Sequence, residues 1–191
     1  MSELAARIQQ GLYHDPFEWL GVHPATSGYV VRAIMPQAES VELPGIGAMQ
    51  RLPGTDLFEC DISEEQYRDI MPHYSLRWIA KGTREQHASV SPYSFMPQLS
   101  DFDLDLFASG KHQHAYRLLG AHLVTVDGID GCLFSVWAPN VRRVSVVGDF
   151  NDWHGKRHFM RVRGGTGVWE LFVPSIQAGD VYKFELITHD E

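Results

Sequence analysis

Residues 131–146 read GCLFSVWAPNVRRVSV, and residues 28–43 read GYVVRAIMPQAESVEL. The two stretches match at a glycine, a proline and a valine, each pair 103 residues apart: Gly28 with Gly131, Pro36 with Pro139, and Val41 with Val144. Each stretch begins with a short run rich in Val, Ile or Phe and then reaches a proline and polar residues, which is the pattern of a strand followed by a turn. Such self-similarity indicates two copies of one architecture.

Three further pairs of segments repeat in the same order along the chain. They are HDPFEWLGVH at 14–23 with HAYRLLGAH at 114–122, LFECDI at 57–62 with VWELFV at 168–173, and YSLRW at 74–78 with YKFEL at 182–186. Their separation stays between 99 and 111 residues, as expected for two copies that differ only in loop length. The repeat therefore extends over most of the chain.

Most of the remaining pattern is typical of strands. Predicted strands lie at 29–35, 132–137, 144–148, 168–173 and 181–187. In the last of these, Val181, Lys183 and Glu185 alternate with Tyr182, Phe184 and Leu186, which is the period of a half-buried antiparallel strand. Many short strands separated by turn signals predict an all-β fold of antiparallel β-sandwiches.

Helical pattern is confined to short segments. A helix is predicted after the capping residue Ser2, and the stretch 101–110 is either a short helix ended by Gly110 or a linker. Prolines and serines in SPYSFMPQLS, at 91–100, place a domain boundary near residues 91–111. The predicted domains are residues 1–105 and 106–191.

Charge and hydropathy argue against two classes of partner. The 191 residues carry a formal net charge of −8, whereas nucleic-acid binding requires clustered Lys and Arg. No run approaches the ~18 apolar residues of a membrane span, and the N-terminus lacks a secretory signal. We therefore expect no nucleic-acid or membrane partner and a cytoplasmic location. Cys60 and Cys132 lie in apolar runs and form no CxxC pair, so both are expected to be buried and unpaired.

Histidines and carboxylates offer no strong catalytic or metal motif. His112 and His114 would share a strand face, but only a distant contact with His122 could add a third ligand, so no metal or other cofactor is predicted. His154 and His158 are expected to be solvated loop side chains. Asp149 and Asp152 could form a glycosidase-like pair, although aspartates in a turn more often cap the backbone. The GGTG stretch at 164–167 predicts a turn between strands.

Trp153 lies within a turn-forming stretch, GDFNDWHGKRH at residues 148–158. Gly, Asn and Asp dominate this stretch and predict a surface loop. A loop rarely exposes an indole unless the ring packs back on the core or meets something outside the domain. Both alternatives remain open from the residues alone.

Several strings together resemble the N-terminal region of the bacterial 1,4-α-glucan branching enzymes. They are HDPFEWLGVH, HAYRLLGAH, FSVWAPNVRRVSVVGDFNDW, GVWELFVP and VYKFEL. The second half is similar to the family-48 carbohydrate-binding module, truncated at its C-terminal end, and the first half is similar to the additional N-terminal sandwich of the long-form enzymes. The resemblance implies two tandem immunoglobulin-like antiparallel β-sandwiches with short N-terminal and linker helices.

The resemblance also implies a function. The full-length enzymes cut an α-1,4-glucan chain and transfer it to a 6-hydroxyl, using an Asp nucleophile and a Glu acid/base in a (β/α)8 barrel of about 250 residues. This chain would then be a non-catalytic part with no catalytic residues of its own. Its implied partners are α-1,4-glucan (glycogen and maltooligosaccharides) and the catalytic barrel of the same polypeptide. Alternatives are a stand-alone glycogen-binding scaffold module that docks another protein, and an independent hydrolase.

Two glucan-binding residues follow from the resemblance. In related modules the Trp of the FNxW loop stacks on glucose and the Lys of the YKF strand donates hydrogen bonds to hydroxyls, which implies these roles for Trp153 and Lys183. The alternative is that Trp153 packs against the catalytic barrel. The family loop commonly reads WDGRxHPMR, whereas this chain has His154, Lys156 and Phe159.

Overall fold

Residues 2–189 are described by the computed structural model, and strands make up most of their regular structure. The strands are β1 (Gly21–Pro24), β2 (Tyr29–Ile34), β3 (Ala38–Leu43), β4 (Gly47–Ala48), β5 (Gln50–Arg51), β6 (Leu57–Ile62), β7 (Ser75–Ala80), β8 (Gln86–Val90), β9 (Gly120–Val126), β10 (Ile129–Trp137), β11 (Val141–Gly148), β12 (Arg161–Val162), β13 (Val168–Pro174) and β14 (Tyr182–Thr188). The helices are α1 (Glu3–Gln10), α2 (Glu64–Ile70), α3 (Asp101–Ala108) and α4 (Ala115–Leu118).

The backbone packs into two units. The first unit comprises the residues up to Gly11 together with Phe17–Phe95, and the second unit comprises Leu12–Pro16 with the residues from Met96 onward. The division of the chain into domains after residue 105 stays a prediction.

The first unit is a sandwich of two antiparallel sheets with strand orders β1-β2-β6-β5 and β4-β3-β7-β8. In the lettering used for immunoglobulin domains, the first sheet has the order A-B-E-D and the second has the order C′-C-F-G. Val31 and Phe58 from one sheet meet Val41 and Leu76 from the other in a single buried cluster. The inward side chains of both sheets therefore form the core between them, as in other aligned sandwiches.

The second unit repeats this topology. One sheet has the order β9-β10-β13-β12 and the other pairs β11 with β14, which corresponds to A-B-E-D and C-F. Phe134 of β10 contacts the rings of Tyr182 and Phe184 of β14, so the two sheets share one core. Within residues 2–189, the edge of β14 has no partner equivalent to β8. The prediction of two antiparallel sandwiches with the same strand order is confirmed.

The predicted strands appear with small shifts at their ends. Strands β2, β10, β11, β13 and β14 overlap the predicted segments, and the GGTG stretch turns β12 into β13 as expected. The alternation predicted in β14 holds as far as Phe184, but Leu186 is 41% exposed. Among the described residues β14 is an edge strand, so its end lacks a neighbour that could cover this side chain.

Two of the helices follow the sequence signals. Helix α1 begins after Ser2, whose Oγ accepts from the Ala5 amide at 3.2 Å, and ends at Gly11 with φ 68°. The 101–110 stretch is not a simple linker, because Asp101–Ala108 forms α3. Helix α2 was not predicted, although Ser63 and Gln66 form a reciprocal capping box that was a readable signal. None of the helices within residues 2–189 has the length and apolar character needed to span a bilayer.

A buried carboxylate ties the start of the second unit to its sheet. Glu170 of β13 is 1% exposed and accepts hydrogen bonds from the backbone amides of Gln98 and Leu99. Arg163 Nη1 donates to the same carboxylate at 2.9 Å, and its Nη2 reaches Asp101 at 2.8 Å. A buried charge is costly unless it is paired and hydrogen-bonded. Glu170 meets both conditions, so it fixes the segment that leads into α3.

Candidate functional site

The Trp153 loop, residues 148–158, connects the end of β11 to the segment before β12. Its centre is a tight turn from Asn151 to His154, closed by a hydrogen bond of 3.0 Å from the His154 amide to the Asn151 carbonyl oxygen. Asp152 and Trp153 both adopt positive φ, at 55° and 56°. This combination is that of a type I′ turn. A bulky residue rarely adopts this conformation, so the surrounding contacts must hold it.

Asn151 anchors the base of the loop. Its side chain is fully buried, and Oδ1 accepts from the Gly148 amide at 2.9 Å. Its Nδ2 donates to the Val146 carbonyl oxygen at 2.9 Å and to Nδ1 of His158 at 2.7 Å. One amide group therefore joins the strand before the loop to the residue at its far end.

His158 is part of the same buried network. Burial, followed by the positive charge of nearby Arg157, lowers the pKa of His158 to about 3. The imidazole is therefore neutral at ordinary pH, in agreement with its Nδ1 accepting from Asn151. The prediction that His158 is a solvated loop side chain is wrong. Its contact with Asn151 and the core depends on how the loop folds, which the local sequence does not reveal.

The loop lies on the outer face of the sheet formed by β11 and β14. A side chain at Gly155 would collide with the carboxylate of Glu185 in β14, so glycine permits this close approach. Arg143 of β11 is 5% exposed and forms an ion pair with the same carboxylate. The backbone of the loop therefore lies close to the strand that carries Lys183.

The two predicted site residues come together here. Trp153 is 41% exposed, and Lys183, an exposed residue of β14, places Nζ at 5.9 Å from the centroid of the indole ring. This distance lies within the range of a cation–π interaction. The indole Nε1 donates to Asp149 Oδ1 at 2.7 Å. The loop fold, not sequence proximity, produces this group of an aromatic face, an ammonium and a carboxylate.

This arrangement suits a polyhydroxylated, partly apolar ligand. A flat indole can cover the C–H face of a sugar ring, while an ammonium offers three hydrogen-bond donors to the hydroxyl rim. Asp149 is engaged with the indole, and the exposed Asp152 lies 3.8 Å from Arg157. The two carboxylates therefore serve the loop structure, in line with the turn interpretation rather than with a catalytic pair.

The other candidate residues lie in structural contacts. His112 Nε2 lies 3.3 Å from Asp103 Oδ1, and His122 Nε2 donates to the Leu119 carbonyl oxygen at 3.0 Å. Residues 2–189 contain no group of three or more His, Cys, Asp or Glu that could hold a metal ion. Cys132 is buried as predicted, whereas Cys60 is only half-buried.

The first unit does not repeat the aromatic loop. Its stretch between β3 and β5 reads PGIGAM at 44–49 and contains no aromatic residue. The tryptophan and lysine pair is thus a feature of the second unit, although the two units share a strand order. Sequence reasoning located Trp153 and Lys183 but missed Asn151 and His158 as the residues that shape their loop.

Two family models match the chain in succession. Residues 2–93 match "alpha-1,4-glucan branching enzyme GlgB, N-terminal domain", and residues 118–191 match "Carbohydrate-binding module 48 (Isoamylase N-terminal domain)". The matched segments correspond to the two sandwiches. The loop that carries Trp153 lies within the second match.

Relatives named 1,4-alpha-glucan branching enzyme GlgB match nearly the whole chain. The protein from Methylococcus capsulatus is 51% identical over 181 residues, covering 94% of this chain and 24% of the relative. The proteins from Hydrogenovibrio crunogenus and Thiobacillus denitrificans are 47% and 52% identical, covering 96% and 95% of this chain and 25% and 24% of the relatives. The chain spans about a quarter of the length of the curated relatives that it matches. It belongs to the family of the N-terminal region of 1,4-alpha-glucan branching enzyme GlgB, in which a GlgB N-terminal domain precedes a carbohydrate-binding module 48.

Proposed function

We propose that this chain is the non-catalytic N-terminal part of a 1,4-α-glucan branching enzyme and that its second unit binds α-1,4-glucan. The whole polypeptide would cut an α-1,4-linked chain and transfer the piece to a 6-hydroxyl, with the chemistry in a catalytic barrel outside these residues. The names of the relatives and the match to carbohydrate-binding module 48 support this proposal. The observation that carries it is the exposed Trp153 ring beside Lys183.

Glucan would meet the site at two points. The apolar face of one glucose unit would lie on Trp153, and Lys183 would donate to the hydroxyl rim of the same or the next unit. One aromatic ring and one ammonium provide few contacts, and a flexible oligosaccharide loses conformational freedom on binding. We therefore expect weak affinity, on the order of millimolar, or about −4 kcal/mol.

A titration with maltoheptaose tests the proposal. NMR amide shifts would be followed for the wild type, for Trp153→Ala and for Trp137→Ala, with a thermal melt of each variant. Trp137 is the matched control because it is also an exposed tryptophan of the second unit, at 54%. We expect Trp153→Ala to abolish binding and Trp137→Ala to retain it.

Two outcomes would contradict the assignment. Equal affinity of Trp153→Ala and wild type would show that Trp153 does not carry the ligand. A large drop in melting temperature for Trp153→Ala would show that the indole mainly packs within the unit. An exposed loop ring should contribute little to the core, so we expect the melting temperature to stay close to that of the wild type.

A further inference from the structure

We propose that Asp149 is a positioning residue for glucan binding: its carboxylate holds the indole of Trp153 in the orientation that receives the sugar. This inference rests on the proposed function and adds a residue that acts only through Trp153. The hydrogen bond from the indole to Asp149 also determines which part of the indole meets the ligand.

The backbone of the turn does not by itself orient the ring. The Trp153 amide donates to the Gly148 carbonyl oxygen at 3.0 Å, and the His154 amide donates to that of Asn151 at 3.0 Å. These bonds fix the main chain of a residue with φ 56° but leave the two side-chain torsions undetermined. Trp153 is 41% exposed, so packing covers only part of the residue. A further contact is needed to select one orientation.

Asp149 provides that contact. The indole has a single polar group, the Nε1–H donor, and Asp149 Oδ1 accepts from it at 2.7 Å. A hydrogen bond to an ionised acceptor is shorter and stronger than one between neutral groups. The bond joins residues four apart across the turn, so it ties the tip of the loop to its base.

The acceptor is itself held in place. Asp149 begins the short 3-10 turn Asp149–Asn151, and the Asn151 side chain, fully buried, binds the amide of the preceding Gly148 at 2.9 Å. The buried Asn151–His158 contact secures the same base from the other end of the loop. The carboxylate therefore projects from an ordered backbone and can order the ring in turn.

Two consequences follow for recognition. Because Nε1–H is already bonded, a sugar meets the face of the ring and not its donor edge. Because the orientation exists before the ligand arrives, binding does not have to immobilise the side chain. Immobilising one side chain at an interface weakens affinity by an amount equivalent to about 3- to 10-fold in Kd.

The experiment compares Asp149→Ala, Asp149→Asn and the control Asp152→Asn with the wild type. Asp149→Asn keeps the Oδ1 acceptor but removes the charge, whereas Asp152→Asn removes a neighbouring charge and retains a residue that tolerates positive φ. Maltoheptaose affinity is measured by NMR titration. Solvent exchange and order of the Trp153 indole N–H signal are measured without ligand.

We expect Asp149→Ala to bind about 3- to 10-fold more weakly, with faster exchange and lower order of the indole N–H. Asp149→Asn should restore both readouts in part, because it keeps the Oδ1 acceptor but not the charge that strengthens the bond. Asp152→Asn should resemble the wild type. In a Trp153→Phe background, which lacks the donor, Asp149→Ala should produce no further loss of affinity. This last comparison isolates the indole bond from any general effect on folding.

The outcomes separate the two proposals. If the wild type itself shows no titration, the proposed function fails and this inference fails with it. If the wild type binds and Asp149→Ala binds equally well, only the inference is overturned. Two other results would also overturn the inference, because Asp149 would then act through its charge or through folding. One is an equal loss of affinity in Asp149→Ala and Asp149→Asn. The other is an undiminished loss of affinity from Asp149→Ala in the Trp153→Phe background.

Discussion

His23 and His122 make the same hydrogen bond in the two units of the chain. In each case Nε2 lies 3.0 Å from the carbonyl oxygen three residues earlier, which belongs to Leu20 and Leu119 respectively. Each histidine also follows a glycine with positive φ at the start of the first strand of its unit. The repeat therefore preserves a local contact as well as a strand order, and it assigns both histidines a structural role.

The two glycines that precede these histidines, Gly21 and Gly120, should differ in how far their replacement by alanine destabilises the protein. Gly21 and Gly120 have φ of 98° and 112°, which strains any other residue by about 1–3 kcal/mol. A Cβ at Gly21 would also lie 2.8 Å from the Tyr93 carbonyl oxygen, whereas at Gly120 its nearest neighbour is His122 Nε2 at 3.9 Å. We expect Gly21→Ala to destabilise the first unit more than Gly120→Ala destabilises the second, measured by thermal melts followed through unit-specific NMR signals. The reverse order would contradict this.

Lys183 should contribute to affinity independently of stability. Lys183→Met retains the aliphatic stem but removes three donors, so we expect maltoheptaose to bind about tenfold more weakly, equivalent to one charged hydrogen bond. Lys111→Met, at another exposed lysine of the second unit, serves as the control. The NMR titration used for Trp153 gives both affinities, and an unchanged Kd for Lys183→Met would remove this residue from the site.

The buried imidazole of His158 should make the second unit sensitive to acid. Its pKa is about 3 in the folded state, against an ordinary value of 6.5. The unfolded chain therefore binds more protons between these two values, and the stability contribution present above pH 6.5 is lost as the pH falls towards 3. The loss is at most about 1.4 kcal/mol per pH unit.

A non-titrating variant isolates this effect. His158→Asn can still present an acceptor near Asn151 but cannot take up a proton in this range. The difference in unfolding free energy between wild type and His158→Asn should therefore shrink from pH 7 to pH 4.5, as followed by urea titrations of the second-unit NMR signals. A difference that does not change with pH would show that His158 is not held neutral by burial.

Substitution of Arg163 should lower the stability of the second unit more than substitution of Glu170. Arg163→Met leaves the buried Glu170 carboxylate without its cation, which typically costs about 3–5 kcal/mol. Glu170→Gln should cost less, because Gln retains an acceptor and Arg163 keeps the Leu99 carbonyl oxygen and Asp101. Thermal unfolding of the second unit measures the loss of stability in both variants. A larger loss for Glu170→Gln would contradict this account.

The chain alone should have no branching activity. The proposed function assigns the chemistry to a (β/α)8 barrel outside these residues, and the strand pairs described in residues 2–189 are antiparallel. Amylose incubated with the chain should keep its iodine stain, while a full-length relative under the same conditions should change it. A reproducible shift with this chain would place chemistry within it.

The sequence by itself determined the all-β class and the internal repeat. Strand alternation and turn chemistry act between neighbouring residues, so they can be read locally, as can the caps at Ser2 and Gly11. The Ser63 and Gln66 capping box of α2 was equally local but was overlooked. The position of Trp153 in a turn-forming loop was also readable, because Gly, Asn and Asp surround it.

Only the tertiary structure decided what these residues contact. Strand pairing brings β14 beside β11, and the loop then folds back over both strands, which places Lys183 next to the Trp153 ring. The same fold buries His158 against Asn151, and a contact between residues 72 positions apart joins Gln98 to Glu170. Such contacts depend on which strands pair and which face a loop covers. Strand pairing and loop position are set by the free energy of the whole unit, so they cannot be predicted from a local sequence pattern.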